Sequence, residues 1–187
     1  GEGVQTGLPA VFLRFAGCNL WSGLERDRKN AVCQFCDTDF VGLDGPGGGR
    51  FDDAAMLVSV VAKLWPGGGQ PWVVCTGGEP LLQLDPPLIE AFHSAGFKIA
   101  VESNGTVKAP EGIDGLCVSP KANAQIVQRS GEELKLVYPQ KENRPSDFET
   151  LDFKHFSLQP RDDSYLTSIP GQAKEKANHM QSAFDYC

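Results

Sequence analysis

Three of the six cysteines, Cys18, Cys33 and Cys36, stand in the spacing C-x14-C-x2-C with polar residues at both ends. Thiolates grouped in this way ligate soft metals and iron–sulfur clusters, whereas Cys75 and Cys117 lie inside apolar runs and read as core side chains. A structural zinc needs four protein ligands in a closed tetrahedron, and none of His93, His155 or His179 is near the three thiols in sequence. A [4Fe-4S] cluster takes one thiolate per iron, so three cysteines leave one iron open to an external ligand. On these residues alone a cluster, a zinc loop and unreactive surface thiols all stay open. A disulfide framework is not expected of a chain this long.

The second signal is Thr76-Gly77-Gly78-Glu79-Pro80. Two residues without Cβ let a ligand approach the backbone, and the neighbouring carboxylate can accept a hydrogen bond from an ammonium group. Glu102-Ser103-Asn104-Gly105 can meet ribose hydroxyls or simply turn the chain. Ser119-Pro120-Lys121 and Gln159-Pro160 are two further polar stretches that close apolar runs.

Those runs are the elements that must position the chemistry. Strands are predicted over Ala10–Phe15, Trp72–Thr76, Phe97–Glu102, Leu116–Ser119, Glu133–Tyr138 and Phe156–Gln159, and most lack strict alternation, as strands covered on both faces do. Helices are predicted over Asp52–Trp65, which opens on carboxylates and ends at Pro66-Gly67, and over Pro86–Ala95, which ends at Gly96. The connections Ala122–Gly131 and Gln140–Asp152 fit short helices or loops equally, and the tail is polar before turning weakly helical from about Gln172. The glycine-rich stretches Gly42–Arg50 and Gly67–Gln70 read as turns, because neither joins a strand to a helix as a phosphate cradle must. Repeated strand–helix units imply an α/β fold with a parallel sheet, and six strands are too few for an eight-stranded barrel, so an incomplete TIM-like barrel is expected. Its strand ends would bring Cys18 and the polar stretches to one edge, where such folds place their active sites.

The chain has 187 residues, 41% hydrophobic and 22% charged, which fits one ordinary globular domain over 1–187. A formal net charge of -7 argues against nucleic-acid backbones as partners and points to a small molecule. No apolar stretch approaches the roughly 18 residues of a bilayer span, and no basic-then-apolar leader opens the sequence, so a soluble cytoplasmic protein is expected.

The cysteine loop together with Gly-Gly-Glu-Pro resembles the radical S-adenosylmethionine superfamily, whose usual loop is C-x3-C-x2-C; eleven more residues are inserted here. Gly1-Glu2-Gly3, Arg14 to Leu20, Cys36-Asp37-Thr38, Thr76 to Pro80, Ser119-Pro120-Lys121 and Gln159-Pro160 narrow the likeness to the 7-carboxy-7-deazaguanine synthase family, in its subgroup with the long cysteine loop. The match runs from Gly1 to about Arg161. The resemblance implies a [4Fe-4S] cluster on Cys18, Cys33 and Cys36, with its free iron chelated by S-adenosylmethionine. Reductive cleavage of that cofactor would start a ring contraction of 6-carboxy-5,6,7,8-tetrahydropterin to 7-carboxy-7-deazaguanine with loss of ammonia, a step of queuosine and other deazapurine biosynthesis.

It also implies contacts. Phe35, Cys36, Asp37, Gly78 and Glu79 would touch S-adenosylmethionine, as would Glu102, Ser119, Lys121 and Gln159. Glu2, Arg14 and Thr76 would touch the pterin, Arg14 through a guanidinium fork on its carboxylate, and Thr38 would offer its hydroxyl to Mg²⁺. A flavodoxin or ferredoxin as electron donor and a homodimer are family-level expectations. The family's Gln before Gly-Glu-Gly and its C-terminal His-containing segment have no counterpart here, so short family segments are expected to be lacking at both ends. A glycyl-radical-enzyme activase of the same superfamily and a non-catalytic zinc-binding interaction module are the competing expectations.

Overall fold

The computed structural model describes residues 3–162 and 178–187. Six strands, β1 (Val11–Phe15), β2 (Trp72–Gly77), β3 (Lys98–Ser103), β4 (Gly115–Val118), β5 (Ser130–Tyr138) and β6 (Asp152–Pro160), form one sheet in the order β1-β2-β3-β4-β5-β6. Every neighbouring pair is parallel. Strands laid down in sequence order by successive crossovers are how a β/α barrel is built. Here β1 and β6 do not pair, so the sheet stays open, an incomplete TIM-like barrel as expected.

Two strands reach further back than the sequence suggests. β5 begins at Ser130 and β6 at Asp152, and the connections before them are loops, the second holding one 3₁₀ turn at Pro145–Asp147. The helices α1 (Ala54–Leu64) and α2 (Pro86–Ser94) start where side chains can satisfy their free amides. Asp53 accepts from Met56 N–H at 2.8 Å and Asp85 from Leu88 N–H at 3.0 Å, each an N-cap worth about 1 kcal/mol. Gly96, at φ 82°, lets the chain leave α2 in a conformation that a side chain would strain. The predicted weak helix of the tail falls partly outside the described residues; within them α3 (His179–Tyr186) packs Ala183 inward and sets Tyr186 against Tyr138, ring centroids 5.7 Å apart.

α1 and α2 cover one face of the sheet. Val58 and Val61 of α1 and Leu88, Ile89 and Phe92 of α2 close over Val73, Cys75, Ile99 and Val101, forming one apolar core. The opposite face is polar. Arg14 lies opposite Thr76, Glu102 opposite Cys117, Cys117 opposite Glu133, and Glu133 opposite His155. Cys75 is opposite Val101, which sets Thr76 beside Glu102 one residue on. One row across the sheet therefore reads Arg14, Thr76, Glu102, Cys117, Glu133, His155. Among the described residues no helix is long and apolar enough to cross a membrane.

Phe92 is fully buried, at 0% exposure, between α2 and the sheet. Phe92→Ala is expected to cost about 3–5 kcal/mol, whereas Phe12→Ala, on a side chain 57% exposed, should change stability by less than about 0.5 kcal/mol. Urea denaturation midpoints of the two variants check the difference.

Candidate functional site

The C-terminal ends of the strands carry the cysteines. Cys18 follows β1, and its loop is fastened to the one after β2 by backbone alone: Gly78 N–H donates to Phe15 O at 3.1 Å and Glu79 N–H to Gly17 O at 2.9 Å. A Cβ at position 78 would stand 1.9 Å from Gly17 O, so only glycine allows this approach. Leu20 then bridges the cysteines, its N–H meeting Cys18 Sγ at 3.4 Å while its carbonyl accepts from Cys33 N–H at 3.3 Å. Cys33 is buried, and Cys18 and Cys36 are half-buried.

The neighbouring Cys33 thiol lowers the Cys36 pKa to about 6, against desolvation and with help from the Thr38 backbone and hydroxyl. Cys33, the proton holder of the pair and the more enclosed, is raised. Lys121 faces them: its Nζ donates to Ser119 O and Oγ at 2.7 Å each and lies 6.0 Å from the Phe35 ring centre. Loss of solvent lowers the Lys121 pKa, and the charges of Cys33 and Cys36 oppose that. A cation beside thiols favours the thiolate that metal ligation requires.

Glu79 behaves differently from an open anion-bearing loop residue. Its side chain is 0% exposed. It accepts from Leu81 N–H at 3.0 Å, Ser103 Oγ–H at 2.9 Å and Asn104 N–H at 2.8 Å, locking the β2 loop onto the end of β3. Burial raises its pKa, and the three hydrogen bonds pull the other way. Asn104 extends the lock to the cysteine loop by donating to Asn19 Oδ1 at 3.0 Å.

On the polar face, Glu102 is ion-paired with Lys135 at 2.9 Å. Glu133, 2% exposed, accepts from Val4 N–H at 3.1 Å and from Ser157, whose hydroxyl lies on β6. Removing one member of such a buried charged pair strands the other, which is why these side chains come in partners. Arg14 is exposed at the head of the row, Thr76 is half-buried beside it, and Gln159 is half-buried opposite Val137.

No family model matches the chain. It is similar to the 7-carboxy-7-deazaguanine synthase of Burkholderia multivorans, 60% identical over 163 residues that make up 87% of this chain and 78% of that protein. The synthases of Bordetella pertussis, 54% identical over 190 residues, and Bradyrhizobium diazoefficiens, 52% over 188, each match 100% of this chain and 85% of their own. The chain belongs to the 7-carboxy-7-deazaguanine synthase family. These relatives favour neither a glycyl-radical-enzyme activase nor a zinc-binding module.

Against the expectations for that family, the structure gathers Cys18, Cys33, Cys36, Phe35, Thr38, Ser119 and Lys121 at one rim, with Gly78 at its backbone hinge. Asp37 lies on the same loop and is exposed. Arg14, Thr76 and Glu102 share the polar face beside that rim. Glu2 lies outside the described residues. Among the described residues no three His, Cys, Asp or Glu side chains converge on one point as a single-ion site needs. The donor set itself, three thiols with one tuned toward thiolate and a lysine facing them, fits a cluster ligated on three irons. Lys135, Glu133 and Ser157 escaped the sequence reading. The available signal was the interleaving of two charges, Glu133 and Lys135, with Leu134 and Leu136 inside the predicted strand Glu133–Tyr138.

Glu79 gives a pH test. Its folded pKa is raised, so between the ordinary glutamate value and that raised value the folded chain keeps a proton that the unfolded chain releases. Wild type should therefore lose stability relative to Glu79→Gln as pH climbs through this window, and the gap should level off above it. Urea midpoints of both proteins across pH measure the gap, and a constant one would contradict the account.

Proposed function

We propose that this chain converts 6-carboxy-5,6,7,8-tetrahydropterin to 7-carboxy-7-deazaguanine with release of ammonia, in queuosine or another deazapurine pathway. The observation that carries the reading is the juxtaposition, in a member of this family, of the thiol rim with the row Arg14, Thr76 and Glu102 on the adjoining sheet face. When bound, a [4Fe-4S] cluster on Cys18, Cys33 and Cys36 would offer an open iron to the amino and carboxylate groups of S-adenosylmethionine and supply the electron that cleaves it.

The chain's own residues do the rest by binding and orientation. Arg14 presents a guanidinium fork to the pterin carboxylate, and Thr76, its partner in register, places a hydroxyl against the ring. Glu2 completes the substrate contacts. Glu102, held by Lys135, together with Ser119, Lys121 and Gln159, would position S-adenosylmethionine, as would Phe35 and the Cys36-Asp37 backbone, with Gly78 supplying a backbone surface free of Cβ. Glu79 serves the same cofactor from inside the protein, by fixing the loop that bears Gly78. Thr38 would provide a hydroxyl oxygen for Mg²⁺, a hard cation that favours oxygen donors and would supply charge neutralisation beside the substrate. We place the protein in the cytoplasm, as a single domain over 1–187 that forms a homodimer and is reduced by a flavodoxin or ferredoxin.

Anaerobic reconstitution with iron and sulfide, followed by turnover with S-adenosylmethionine, a reductant and the pterin, tests the activity. Formation of 7-carboxy-7-deazaguanine and ammonia is expected, and cluster loading without either product would overturn it. Cys18→Ala, Cys33→Ala and Cys36→Ala should each abolish cluster binding by iron content and absorbance, while Cys75→Ala and Cys117→Ala keep it. Thr38→Ala should retain the cluster yet need roughly tenfold or more Mg²⁺ for half-maximal rate. An unchanged Mg²⁺ dependence would remove Thr38 from the site.

A further inference from the structure

The stretch between Cys18 and Cys33 is a small folded unit with Arg28 at its centre. It winds one 3₁₀ segment over Glu25–Asn30, which places Arg28 with its side chain only 16% exposed. The guanidinium makes contacts of three kinds. Nη1 donates to Gln34 O at 3.1 Å and to Cys36 O at 2.9 Å. Nε meets the Glu25 carboxylate at 2.8 and 3.0 Å. Its Cζ lies over the Trp21 ring, 4.1 Å from the ring centre. Trp21 is itself fixed, by Nε1–H to Leu24 O at 3.2 Å and by an edge contact with Phe40, centroids 5.6 Å apart. Phe40 O in turn accepts from Gly17 N–H at 3.3 Å, next to Cys18.

We propose that Arg28 is the positioning residue of the long cysteine loop: by gripping the carbonyls of Gln34 and Cys36 while stacked on Trp21, it sets the Cys33–Cys36 pair against Cys18 before any cluster arrives. The inference rests on the cluster assignment above. Its grip is on the backbone carbonyls of Gln34 and Cys36, so its effect on the cluster runs through the backbone it holds. Lysine cannot replace it, because one ammonium cannot grip two carbonyls, pair with Glu25 and stack on an indole face at once.

The test compares wild type, Arg28→Lys and Arg28→Met after anaerobic reconstitution, by iron and sulfide content, by the rate of iron loss to a chelator and by the midpoint potential of the cluster. Partners that orient metal ligands typically govern affinity by 10–100-fold. Arg28→Met is expected to lose iron about tenfold or more faster than wild type, with a shifted midpoint potential. Arg28→Lys should resemble it in iron loss despite keeping the charge. Urea midpoints of the three apoproteins separate a loose loop from a destabilised domain, and Trp21→Phe, which keeps an aromatic face under the guanidinium, should retain most of the wild-type holding power. Equal iron loss and equal potential in wild type and Arg28→Met would overturn the proposal. Failure of wild type itself to take up a cluster would overturn the assignment beneath it.

Discussion

The carbonyl of Gly17 occupies the space that a side chain at position 78 would need. That single backbone contact decides how near the loop after β1 can come to the loop after β2. With Glu79 N–H on Gly17 O at 2.9 Å, the two loops become one rim. Cys18 is therefore held by the sheet and not only by its own loop, and whatever Cys18 ligates is referenced to β2. The Glu79 carboxylate carries the same constraint one strand further, through Asn104 N–H at 2.8 Å. Three successive strand ends are thus locked together by groups that sit inside the protein and leave the rim's outer surface to ligands.

The sheet divides its labour by face. Toward the helices it is apolar from β1 to β5, and the hydrophobic effect fastens α1 and α2 there without regard to direction. On the other face the buried residues include Glu133 and Lys135 at 2% and 6% exposure, and their charges must be met locally because a low-dielectric interior leaves an unpaired one several kcal/mol too high. Pairing Lys135 with Glu102 and Glu133 with Ser157 and Val4 N–H thus fixes geometry as well as charge. A face built this way is already polar and rigid before a ligand reaches it, the state from which binding and orientation cost least.

Much of this was legible in the residues. The carboxylates that open Asp52–Trp65 announce a helix start and Gly96 a helix end, and polar stretches after most of the apolar runs mark the edge of the candidate site. Glu133-Leu134-Lys135-Leu136 was the harder segment. Alternating polarity is the pattern of a strand with one face in water, yet here both faces are covered, and only knowing that Glu102 lies across β4 from Lys135 explains why a lysine can be there. Glu79 shows the opposite difficulty. Its place after two glycines suggests an open carboxylate, and its burial depends on Ser103 and Asn104, which the chain delivers from β3. The starts of β5 and β6 were hidden because Ser130, Gly131, Asp152 and Lys154 have little strand character of their own and are recruited by pairing.

Chain length between the ligands raises a final energetic point. Lengthening the spacer between the first two cysteines from three residues to fourteen raises the entropic cost of closing it by about 1.4 kcal/mol, since closure grows only as the logarithm of length. A hydrogen bond to a charged group returns about 1.5–3 kcal/mol net, and a guanidinium stacked on an indole about 0.5–1 kcal/mol or more. Arg28 makes two of the former to backbone carbonyls and one of the latter, so it alone can offset the added closure cost. The long spacer is therefore no looser than a short one, provided its interior is packed, and Trp21 against Phe40 provides that packing. What the extra residues add is a second way of holding Cys33 and Cys36: a short loop fixes its cysteines by tightness of the turn, whereas this loop fixes them by a half-buried cation that reads the backbone on either side of Phe35.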